Sequence, residues 1–180
     1  MRIIKKLFIL CFFLAFTASC ETYKDYEMEF SPVYPLSGEW LVRFTDTSVT
    51  PSTSGLFVMS SFNTADNSTT QMWIRVTSTS ASAANIAYTG RFDGKINCNA
   101  AGKTFSGDNV QNTFYSTLAV PPTPIPTFTI TNGTVITNGY DTATGGKSDK
   151  ITFTITDTRK PGKTISVSGF RRTHWSDDEV

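Results

Sequence analysis

The chain has 180 residues, a formal net charge of +1 and 17 % charged residues, enough for one domain with a tail. Its first 19 positions hold three basic residues and no acidic one, so a product beginning at residue 20 carries 13 Lys and Arg against 15 Asp and Glu, a formal −2. That balance argues against a nucleic-acid partner, which needs a basic face, and against adhesion to anionic lipid by charge alone.

Residues 1–19 read as an export signal. Arg2, Lys5 and Lys6 precede the apolar run Leu7 to Phe16, and Thr17-Ala18-Ser19 supply small residues before Cys20. The run falls short of the ~20 residues a spanning helix needs. A cysteine directly after Ala-Ser resembles a lipobox, in which Cys20 is acylated and becomes the mature N-terminus. Cys11 leaves with the signal, so Cys98 is alone and no internal disulfide forms in the mature chain. Cys98 alternates with Ile96, which predicts burial as a small hydrophobe.

Residues 20–36 read as an acidic tether, with Pro32 and Pro35 stiffening the approach to the first strand. Within it, Glu21 to Glu29 has no period, and acidic residues soon after a lipidated cysteine resemble a surface-export signal of some Gram-negative bacteria. The domain occupies 37–175, and 176–180 form an acidic tail. Trp40, Val42 and Phe44 alternate with Glu39, Leu41 and Arg43, a strand that buries one face. Leu56 to Phe62 and Gln71 to Thr77 follow, the latter with Met72, Ile74 and Val76 on one side. Asn85 to Tyr88 and Arg91 to Cys98 read as a pair, then Lys103 to Ser106 and Gln111 to Ala119 as further strands. Pro121 to Pro126 is a stiff extended connection. Asn132-Gly133 between Thr127–Thr131 and Thr134–Thr137 predicts a two-residue hairpin, because both positions accept positive φ. Ile151, Phe153 and Ile155 alternate with threonines, and Ile165 to Gly169 forms the last strand. Eight to ten strands this short and evenly spaced, with Ser and Thr on the second face, predict an all-β antiparallel barrel or sandwich, and a closed barrel of about eight strands best resolves the open edges.

A Gly-x-Trp opening the first strand (Gly38, Trp40), with Arg171 and Arg172 ending the last, resembles the lipocalin and wider calycin pattern. That resemblance implies that the tryptophan closes one barrel end and that Arg171 or Arg172 lies over its ring. More narrowly, Tyr34 to Trp40 together with Ser168 to Thr173 resembles a family of Gram-negative lipoproteins described as "lipid-binding putative hydrolase". It implies a calycin-like barrel, with activity named but no chemistry attached.

No catalytic constellation is legible. His174, the single histidine, adjoins Trp175, Ser176 and Asp177, and neighbours in sequence cannot hydrogen-bond in series as a triad does. No Gly-x-Ser-x-Gly turn presents a nucleophile. No Cys and His cluster suits zinc, and Gly146-Lys147-Ser148 lacks the upstream glycine of a phosphate loop. Asp141-Thr142-Ala143 resembles a short O-glycan acceptor. The inward set Val42, Phe44, Met72, Ile74, Val76, Phe128, Ile130, Phe153, Ile155 and Val167 is expected to line a cavity open near Pro121–Pro126. The expected protein is an outer-membrane lipoprotein, on the periplasmic or surface face, with no cofactor or metal. Its expected partners are the membrane, through Cys20, and a small apolar ligand. The rivals are a filled barrel serving a surface complex and a hydrolase.

Overall fold

The computed structural model describes residues 29–47, 52–76 and 91–179. Strands β1 (Gly38–Asp46), β2 (Ser52–Thr53), β3 (Phe57–Asn63), β4 (Gln71–Val76), β5 (Asp93–Asn99) and β6 (Thr104–Gln111) come first. A one-turn helix α1 (Thr113–Ser116) precedes β7 (Thr127–Asp141), β8 (Lys147–Asp157) and β9 (Ile165–Arg171). From β3 to β9 each strand pairs antiparallel with the next. β1 pairs with β3 on one side and with β9 on the other, where the register runs from Trp40 opposite Arg171 to Asp46 opposite Ile165. Eight strands therefore close into a barrel, which removes the sheet edges an open form would expose. The two-residue β2 lies beside the far end of β1.

Period-two alternation decides what faces in. Trp40, Val42 and Phe44 from β1, Met72, Ile74 and Val76 from β4, and Ile151, Phe153 and Ile155 from β8 join one buried cluster. The opposite faces carry threonine and serine, as in Thr152, Thr154, Ser166 and Ser168, which suit a β-surface wet on one side. One end of the barrel is shut by the segment before β1, whose Val33 and Leu36 are fully buried. Toward the other end a ring layer forms: Phe57 and Phe92 meet Phe44 edge-on at 5.4 and 6.4 Å, and Phe128 lies 5.3 Å from Phe92.

Two expectations fail locally. Asn132-Gly133 is no hairpin; it lies inside the continuous strand β7, where the register with β8 shifts between Thr131 and Thr134. Asn132 does adopt φ 55°, but the extra residue makes a bulge instead of a reversal. Gly133 faces inward against Phe105, and a β-carbon there would lie 2.4 Å from that ring. The true reversal is Thr142 to Gly146, with Gly145 at φ 85°. Likewise Gln111 to Ala119 is no strand: Gln111 ends β6 and α1 follows, its amide–carbonyl bond running from Thr117 back to Thr113. The expected strand Asn85 to Tyr88 lies outside the described residues.

The acidic tail folds back onto the domain. Ser176–Asp178 makes one 3₁₀ turn, Asp178 accepts hydrogen bonds from the Thr144 amide and the Thr173 hydroxyl, and Glu179 pairs with Arg172 at 2.7 Å.

Candidate ligand-binding site

At the closed end Trp40 is fully buried, and its indole Nε1–H donates to Ser61 Oγ at 2.8 Å. Ser61 in turn donates to the Leu36 carbonyl at 2.6 Å, tying the plug segment to the barrel wall. The Arg171 guanidinium carbon lies 4.4 Å from the centre of the Trp40 ring. Its Nη2 donates to the Pro35 carbonyl at 2.6 Å, its Nη1 to the Ser37 carbonyl, and its Nε to Asp149 at 3.1 Å. Gly38 makes room for this, since a β-carbon there would meet Arg171 Nη1. Arg172 points the other way, toward Glu179 and Glu39.

The ten residues expected to line a cavity all point inward and are 0–3 % exposed. They belong to one buried cluster at the centre of the barrel. Phe128 alone among them borders a described groove, a rim depression of about 380 Å³ shared with Lys160 to Thr164. Phe44, Phe57, Phe92, Phe105, Phe128, Phe153 and Trp40 belong to this cluster, bulky rings for the narrow interior of eight strands.

The wall itself is split. The ladder between β5 and β6 comprises three pairs, Asn97 to Asn99 against Ser106 to Thr104, and stops there. Beyond it the register of β6 against β7 shifts twice, and Asp108 and Asn109 bulge outward while Val110 returns to face Phe128. Val110 fills the gap. Two glycines make that possible: a β-carbon on Gly94 would lie 2.6 Å from Val110, and one on Gly107 would lie 2.7 Å from it and 2.8 Å from Ile96. Outside this plug runs a groove of about 320 Å³ lined by Trp73, Lys95, Ile96, Gly107, Val110 and Thr113, among others. That volume is at the low end of small-molecule sites, which run roughly 300–1,000 Å³.

Side chains replace the missing strand at the top of the split. Asn112, fully buried, accepts from the Asp93 amide at 3.2 Å and donates to the Arg91 carbonyl at 3.0 Å. Thr113 donates to the Asp93 carbonyl at 2.9 Å. Two buried polar atoms stay without hydrogen bonds there, Arg91 Nε and Asp93 Oδ1, although Arg91 stacks 4.4 Å over Phe114 and Asp93 pairs with Arg75 at 2.8 Å.

Cys20 lies outside the described residues. Cys98 is a free, buried thiol whose pKa burial pushes up. His174 is exposed and lies 3.8 Å from Glu39. Thr142 of the Asp-Thr-Ala triplet is buried, with its hydroxyl accepting from the Gly146 amide. The residues of the split, Gly94, Gly107, Val110, Asn112 and Thr113, escape a reading by periodicity because the bulge at Asp108-Asn109 breaks the alternation. Gly107-Asp108-Asn109 itself is the one legible signal, a turn-type cluster beside strand-like sequence.

A closed eight-stranded antiparallel barrel with a buried apolar core is the class of protein this fold defines. The chain belongs to the family described as "lipid-binding putative hydrolase", whose pattern matches residues 25–176. No curated protein matches it. A crystal structure of a protein of unknown function from Bacteroides ovatus is similar over 77 % of this chain and 42 % of its own, at 15 % identity and a TM-score of 0.42. This chain thus spans less than half the length of that protein, and a likeness at that level carries no argument.

Proposed function

We propose that the protein is an outer-membrane lipoprotein, acylated at Cys20, that takes a lipid-like apolar chain through the split between β5 and β6. The observation that carries this is the three-pair ladder with Val110 wedged between Gly94 and Gly107. Among the described residues the ten inward side chains of the expected lining are 0–3 % exposed, so a ligand entering among them displaces a side chain. Val110 has no ladder partner on the β5 side, and the groove is lined by Trp73 over the buried Ile96. The description of the family as lipid-binding supports the same chemistry. Buried atoms of both kinds, Arg91 Nε and Asp93 Oδ1, lack hydrogen bonds at the top of the split, which suits a polar head group that can both accept and donate.

Hexadecanoic acid, followed by native mass spectrometry and fluorescence titration, tests this. Val110→Ala should strengthen binding and Val110→Trp should abolish it while the thermal transition is retained. A second reading, a filled barrel serving as a structural subunit of a surface complex, draws on the buried centre. Absence of binding by the native protein, or binding indifferent to both substitutions, would favour it.

A further inference from the structure

We propose that the closed end of the barrel rests on the bilayer surface through Phe30, Tyr34 and Trp175, so that the protein stands in one orientation. This builds on acylation at Cys20 as the tether. These are the three large aromatic side chains that stay markedly exposed among the described residues, at 57, 47 and 69 %. All three belong to the same end. Phe30 and Tyr34, stacked at 4.3 Å, precede β1 in the plug segment, and Trp175 follows the end of β9. β1 starts and β9 ends at the Trp40–Arg171 pair, so both segments leave the barrel on that side.

The chemistry of this end fits a lipid interface. Aromatic rings with one wet edge partition to the head-group level of a bilayer. The hairpin turns on this side, 65–67, 100–103 and 143–146, carry Ala, Gly, Asn and Thr with Asp66 and Lys103 as their charges, and Asp177 stands exposed beside Trp175. The opposite end exposes Leu118 and Val120 but no markedly exposed aromatic ring among the described residues. Phe30 also stands ten positions after Cys20, a reach of at most about 35 Å even fully extended. The tether therefore emerges beside the aromatic surface and keeps it close to the membrane. Because this surface is not basic, docking should depend on apolar insertion and not on lipid charge.

The test holds the protein on vesicles by its N-terminus, either through the native acyl group or, in a Cys20→Ser chain, through a histidine tag at that end on nickel-chelating lipid. Vesicles are phosphatidylcholine alone or mixed with phosphatidylglycerol, each with a doxyl-labelled lipid as quencher. Expected is quenching of tryptophan emission that disappears in Trp175→Phe, falls in the Phe30→Ser/Tyr34→Ser pair, and is equal in both lipids and in high salt. Trp175 that stays open to aqueous iodide and unquenched by doxyl lipid would overturn the docking. Quenching lost in high salt, or requiring phosphatidylglycerol, would overturn it equally, since it would mark a charge-driven contact. Failure of the acylation reading appears separately, as native protein released from membranes by a salt wash while the tagged chain still docks.

Discussion

Arg171 and Trp40 are direct register partners across the seam that closes the barrel, and the guanidinium lies 4.4 Å over the indole. The same arginine holds two carbonyls of the plug segment and Asp149, so one side chain joins the first strand, the last strand and the floor. Trp40→Ala should cost about 3–5 kcal/mol, as large-to-small changes do in a core. Arg171→Met keeps the stem but strands the Pro35 and Ser37 carbonyls, a loss of about 1–3 kcal/mol. Urea unfolding of both variants measures this, and near-native midpoints would show that the floor is held elsewhere.

Asn112 substitutes for a strand. Replacing it with leucine leaves the Asp93 amide and the Arg91 carbonyl buried without partners, at roughly 1–3 kcal/mol for each orphaned group. Hydrogen exchange at the start of β5 should accelerate well before exchange in β8 or β9. Uniform protection in the variant would mean that the top of the split closes by other contacts.

Cys98 faces inward, and burial pushes its thiol above the ordinary 9.0. Only the thiolate reacts, so the native protein should resist alkylation at neutral pH and react fully once unfolded. Labelling followed by mass spectrometry of the native and urea-unfolded chain checks this. Fast labelling of the native form would place the thiol at an opening in the wall.

Acid should release the tail. Hydrogen bonds from Arg172 hold the Glu179 carboxyl below its ordinary 4.5. For Asp178 burial acts in the opposite sense, but the Thr144 amide and the Thr173 hydroxyl outweigh it and its pKa is lowered too. Both groups bind fewer protons docked than free, so the docking they support is complete above 4.5 and fades as pH falls through their lower docked values. Trp175 emission followed from pH 7 into this acid window should shift as the turn detaches. Glu179→Gln should flatten that shift, and an unchanged titration would assign it to another group.

Much of this fold was legible because most strands keep strict alternation. Trp40-x-Val42-x-Phe44 and Ile151-x-Phe153-x-Ile155 each show a dry and a wet face within five residues. Asn132-Gly133 misled because positive φ serves a bulge as well as a turn. What decides between them is Phe105 on the neighbouring strand, which demands a residue without a side chain opposite it. The split escaped for a related reason. Val110 reads as an ordinary strand residue, and only its position against Gly94 and Gly107, in contact across strands, gives it the role of a plug. Burial of the ten inward side chains in one cluster is likewise a property of several strands together, and no single strand carries it.

Closure through β1 and β9 also governs when the barrel can exist. The seam joins residues 40–46 to residues 165–171, so it waits on nearly the whole length of the chain. Contacts this distant in sequence form slowly, because loop closure must precede any gain from them. Until β9 has arrived, β1 and β8 both present open edges, and Trp40 lacks its arginine. A polypeptide built this way has no finished domain at any intermediate length. Its closure is an all-or-nothing event, and a chain cut short before Ile165 would leave two sticky strands for proteases or chaperones to find.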